Sequence, residues 1–157
     1  MARRLPVIQS PSGEDAQAAE RPAWQWLLIG AGFVLSVFAP IALIAAPLGV
    51  VLARRASQSA GIAAALAGFP VLGAFLLAAW VAGAVVGRFG LRARRHTAAL
   101  AGALGAAVLI GLVLLRGGFE RVEVLLASSF VLLGAGATFA EAGARFGVRR
   151  RPGAPRA

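Results

Sequence analysis

Residues 88–96 read Arg88-Phe89-Gly90-Leu91-Arg92-Ala93-Arg94-Arg95-His96, a short basic segment with long apolar runs on both sides. A run of about 20 apolar residues crosses the hydrocarbon core of a bilayer as a helix, and clustered arginines mark the loops held on one side. The segment therefore divides the chain into two hydrophobic hairpins, each a pair of spans. The pattern predicts an all-α integral membrane protein whose four transmembrane helices are arranged as two hairpins.

Composition points the same way. Hydrophobic residues make up 59% of the chain and the mean hydropathy is +0.81, above the roughly 45–50% apolar content of soluble domains. All 16 basic residues are arginine, and Lys, Asn, Tyr and Cys are absent while Ala, Gly and Pro abound. A GC-rich genetic code favours this set, so a bacterium is the expected source and its cytoplasmic (inner) membrane the expected location. The absence of cysteine excludes disulfides, thiolate metal sites and iron–sulfur clusters. The net charge of +10 would suggest nucleic acid in a soluble chain. Here the arginines flank apolar runs, where lipid head groups take up their charge, so the expected partner is the bilayer and not nucleic acid.

From the central segment outward, residues 1–23 form a polar tail broken by Pro6, Pro11 and Pro22, a composition that favours disorder. Its only early apolar stretch, residues 5–8, is too short for the core of a secretory signal, so the first span is expected to be an uncleaved anchor. The transmembrane domain is expected over residues 24–146, with spans at about 24–52, 61–87, 97–115 and 122–144, followed by a basic tail over 147–157. Trp24 and Trp26 open the first span at head-group level. Pro40 and Pro47 within it, and Pro70 in the second, each remove a backbone donor, so these helices are expected to tilt, kink or break. Ala79, Gly83 and Gly87 recur every four residues on the second span, a small-residue stripe that admits the close approach of another helix.

Arginine counts predict the orientation. Arg3, Arg4 and Arg21, the central Arg88, Arg92, Arg94 and Arg95, and the C-terminal Arg145, Arg149, Arg150, Arg151 and Arg156 lie on one side; Arg54, Arg55, Arg116 and Arg121 lie on the other. The richer side is the cytoplasmic one, so both termini are expected in the cytoplasm. Arg88, Arg92, Arg94, Arg95, Arg149, Arg150 and Arg151 are the expected lipid head-group contacts.

The end of the fourth span repeats the central segment. Residues 145–151 match residues 88–94 at an offset of 57, with five of seven positions identical. Either an ancient hairpin duplication or two similar helix exits, each with a capping glycine and dipole-complementing arginines, accounts for the match.

Few residues offer chemistry. Apart from Glu123 at the very start of the fourth span, Glu141 is the only acid inside a span, which makes it a candidate coupling carboxylate, but Arg145 stands four residues on in the order that favours a helix ion pair. His96 is the sole histidine and has no second ligand type beside it; Ser36, Ser128, Ser129 and Thr138 have no base placed to activate them. No glycine-rich phosphate motif follows a strand. The expectation is a non-enzymatic protein with no catalytic residue, metal or cofactor. An accessory or scaffold subunit of a larger membrane complex fits best, with a membrane-protein partner or a homo-oligomer implied by the small-residue stripes. A small homo-oligomeric transporter or channel and an anionic-lipid-binding protein are the alternatives.

Overall fold

A computed structural model describes residues 22–55, 59–90, 95–115 and 122–149; of Arg95 and residues 122–127 it describes the backbone alone. Four α-helices account for nearly all of these residues: α1 (Ala23–Arg55), α2 (Ala60–Phe89), α3 (Arg95–Leu115) and α4 (Val122–Arg149). The first three are long and apolar enough to cross a membrane, which marks a multi-pass membrane protein. The polar tail before Pro22, together with Arg92, Arg94, Arg150 and Arg151, lies outside the described residues.

The prolines do not break their helices. α1 runs continuously through Pro40 and Pro47, and α2 through Pro70. At 1.5 Å per residue, α1 is about 50 Å long against a hydrocarbon thickness of about 30 Å, so it tilts or overhangs the membrane. α2 starts at Ser59, whose extended backbone (φ −149°, ψ 138°) lets its hydroxyl accept from the Ile62 amide at 3.3 Å, an N-cap within the short polar turn.

The helices form a four-cornered bundle. Each hairpin packs antiparallel on itself: Gly30 of α1 lies beside Val86 of α2, and Gly49 beside the Ala67 backbone. The two hairpins then lie parallel to one another. Gly30 also meets Ala101 of α3 and Val34 meets Gly105, so α1 and α3 run the same way; Gly83 meets Ala140 and Gly87 meets Ala144, so α2 and α4 do too. α1 and α4 stand at opposite corners and scarcely touch.

The core is built from small residues around one large ring. Ala74, Ala78, Ala79 and Ala82 of α2, Ala98, Ala101 and Ala106 of α3, and Ala140 and Ala144 of α4 are all buried, and Phe75 and Val34 fill the centre. Phe38 meets the Phe75 ring edge to face, with centroids 6.1 Å apart. Large apolar residues such as Leu43, Ile44, Phe69, Leu115 and Phe130 face outward.

The two Arg-Phe-Gly segments occupy different structural positions. Gly90 ends α2 with φ −81° and ψ 82°, outside the left-handed region, and its amide donates to the Val86 carbonyl at 2.8 Å. Gly147 caps nothing: α4 continues past it to Arg149, three residues into the stretch expected to be tail. The reason is packing, because Gly147 sits against the Ala84 carbonyl of α2 and holds that last turn in place.

Candidate functional site

Four glycines meet backbone carbonyls where α2 and α4 cross, and glycine is what permits this close approach. A Cβ on Gly83 would overlap the Ala140 carbonyl, and one on Gly87 the Ala144 carbonyl. From the other side, a Cβ on Gly143 would overlap the Trp80 carbonyl, and one on Gly147 the Ala84 carbonyl. Each glycine therefore turns the hydrogen it carries in place of Cβ toward a carbonyl oxygen of the opposite helix, a weak Cα–H···O contact of about 0.5–1 kcal/mol. The pairs 80 and 140, 83 and 143, 84 and 144, and 87 and 147 are each 60 residues apart, so the crossing is pseudo-twofold: what α2 does to α4, α4 does to α2.

This register differs from the offset of 57 at which the Arg-Phe-Gly segments align. The sequence carries its own signal for it, Ala82-Gly83-Ala84-x-x-Gly87 against Ala142-Gly143-Ala144-x-x-Gly147, which is less conspicuous because the charged residues beside it do not match. Ala79, Gly83 and Gly87 are buried, and the two glycines face α4 of the same chain. They are not free to receive another protein.

Other small residues do face outward. On α4, Gly134, Thr138 and Ala142 are exposed at four-residue spacing, and nothing lies within 4 Å of a Cβ on Gly134. On α2, Gly61, Ala65 and Gly68 are exposed, again with open space at both glycines. The hydroxyls beside such surfaces turn back to their own helix, Thr138 donating to the Ala135 carbonyl at 3.0 Å and Ser36 to the Gly32 carbonyl at 2.9 Å.

Glu141 and Arg145 pair at 2.7 Å along α4, with the arginine side chain 57% exposed and the carboxylate 32%. An exposed helix pair of this spacing is worth about 0.3–0.5 kcal/mol. Replacing Glu141 with alanine is therefore expected to change stability by no more than about 0.5 kcal/mol. Detergent-denaturation midpoints of the two proteins check this, and a larger loss would mean that Glu141 supports the bundle in some further way.

Two concavities remain. Pro40, Ile41, Ile44, Ala45, Leu48 and Pro70 line a cleft of about 340 Å³ between α1 and α2, which brings prolines of the two helices to one place. Its side chains are all apolar and offer a solute no hydrogen bond. A smaller crevice of about 240 Å³ lies at the other end of α2, where Trp80 and Arg88 of α2 face Phe146 of α4; the centroids of the Trp80 and Phe146 rings lie 5.1 Å apart. The Arg88 guanidinium lies 5.6 Å from the centroid of the Phe89 ring. His96 is exposed in the first turn of α3, and no group of three metal-ligating side chains occurs among the described residues. No protein-family model matches the chain, and comparison with curated proteins and with solved structures finds no similar protein.

Proposed function

We propose that this protein is a non-enzymatic accessory or scaffold subunit of a larger assembly in the cytoplasmic membrane of a bacterium. In this reading α4 is the fourth span and both termini lie in the cytoplasm. Residues 124–140 of α4 carry no charge, and the arginines favour the side that holds the termini.

The observation that carries the reading is the outward stripe Gly134, Thr138, Ala142 on α4. Lipid gives glycine and alanine no advantage over leucine at a lipid-facing position, whereas a neighbouring helix gains close backbone approach from them. The inward stripe is already used within the chain, which leaves outward-facing small residues such as these for a partner. The apolar proline cleft and the ion-paired Glu141 lend less support to transport, which needs polar atoms along a path.

Gentle detergent extraction from the native host followed by mass spectrometry tests the proposal. Larger membrane proteins are expected to co-purify in stoichiometric amounts, and leucine at Gly134 and Ala142 is expected to release them. Leucine suits both helix and lipid, so the altered bundle should still fold. Recovery of the chain alone, or retention of the partner by the leucine variant, would overturn the reading.

A further inference from the structure

We infer that the crevice at the C-terminal ends of α2 and α4 binds one anionic phospholipid, its acyl chain against Trp80 and Phe146 and its phosphate on the Arg88 guanidinium. The inference stands apart from the accessory-subunit reading, since such a site could serve a subunit, a transporter or a lone protein equally.

Three observations carry it. The first is shape: the crevice lies on the outside of the α2–α4 crossing, with Trp80, Val81, Val85 and Phe146 as apolar wall and Arg88 and Phe89 at its end. An occupant of this wall comes from the bilayer. The second is the position of Arg88, which is exposed in the last turn of α2, lies near the Phe89 ring and has no ion-pair partner among the described residues. Its planar guanidinium presents paired donors that match a phosphate.

The third is charge. The C-termini of α2 and α4 and the N-termini of α1 and α3 lie together at this end, so their opposite half charges offset one another. Arg88, Arg145 and Arg149 then outweigh Glu141, leaving about two positive charges for a ligand to meet. A lipid phosphate meets that charge while its chain covers the aromatic wall. Free phosphate would leave the wall bare, so the site is assigned to a lipid.

Fluorescence quenching tests the inference in the full-length chain. With Trp24 and Trp26 replaced by phenylalanine, Trp80 is the one remaining tryptophan, because the sequence holds three. The protein is placed in phosphatidylcholine nanodiscs containing a minor fraction of either phosphatidylglycerol or phosphatidylcholine with brominated acyl chains. The anionic brominated lipid is expected to quench Trp80 at the lower mole fraction. Arg88→Gln is expected to weaken that preference about fivefold, the scale of one arginine at a membrane surface. Arg54→Gln, at the far end of α1, serves as the control and should leave it unchanged. Circular dichroism confirms equal helix content in each variant. Equal quenching by the two lipids overturns the inference, as does a preference that survives Arg88→Gln or falls equally with Arg54→Gln.

Discussion

Leucine in place of Gly83 is expected to force α2 and α4 apart and to lower the stability of the bundle by more than about 3 kcal/mol, the upper end of the usual cost of overpacking. The size follows from what stands in the way. Overpacked side chains in most cores can rotate aside, but here the new Cβ meets the Ala140 carbonyl, which belongs to a helix backbone and cannot yield alone. Gly68→Leu is the matched control. It lies on the same helix with no atom near its Cβ position, so it should be nearly neutral in lipid.

The pseudo-twofold register adds a sharper test. Gly83→Ala and Gly143→Ala each push the same two backbones apart, one against the Ala140 carbonyl and the other against the Trp80 carbonyl. Once the first substitution has opened the crossing, the second has less to disrupt. The combined loss is therefore expected to fall short of the sum. Unfolding in mixed micelles, followed by tryptophan emission, measures all of these variants, since Trp80 packs against Phe146 across this crossing. Strict additivity would show that the glycine pairs are independent contacts.

The helices themselves were legible in the sequence because lipid demands a long uncharged run, and such runs with arginines between them admit few other readings. Which way each helix faces was harder to read. In water a helix shows its buried side by polarity, but in lipid both sides are apolar and the distinction passes to size. α2 illustrates this: Ala74, Ala78, Ala82 and Val86 point inward, while Phe69 and Leu77 point out. A stripe of small residues thus marks an interface without naming the partner. Gly83 and Gly87 find theirs in α4, 60 residues on, and only the three-dimensional arrangement distinguishes them from the outward-facing Gly134 and Ala142.

The helix ends depend on packing in the same way. Arg88-Phe89-Gly90 and Arg145-Phe146-Gly147 look alike because glycine, an aromatic and arginines all suit a membrane exit. Their roles part where packing intervenes. Both phenylalanines are exposed in part, but Phe146 lies tilted against the Trp80 ring across the crossing, and Gly147 is a helix-packing residue. The charged pair Glu141 and Arg145 was readable from its four-residue spacing alone, because that contact is local. The aromatic crevice was not, since Trp80 and Phe146 lie 66 positions apart and meet only through the glycine crossing.

Phe75→Ala is expected to produce the second large loss, about 2 kcal/mol. In a water-soluble core the same truncation costs about 3–5 kcal/mol, the sum of a transfer term and a cavity term. In a bilayer the transfer term largely vanishes, because the surroundings of the unassembled helix are as apolar as the core. What remains is the cavity. Phe75 is 2% exposed, and Ala78, Ala82 and Ala106 in the same buried cluster have no spare atoms to reach into the gap, so only the partly buried side chains around them, such as Phe38 and Leu109, can shift toward it. Gly136 sharpens the test, since a methyl there would come within 3.0 Å of the Phe75 ring and 2.9 Å of the Gly102 carbonyl. Gly136→Ala should therefore destabilise the unaltered protein and cost less where Phe75 is already alanine, because one of its two obstacles is gone. Unfolding midpoints of the two single variants and the double variant give the coupling. A coupling of zero would mean that the ring does not pack against α4 at Gly136, and that the centre of the bundle is held by the glycine crossing alone.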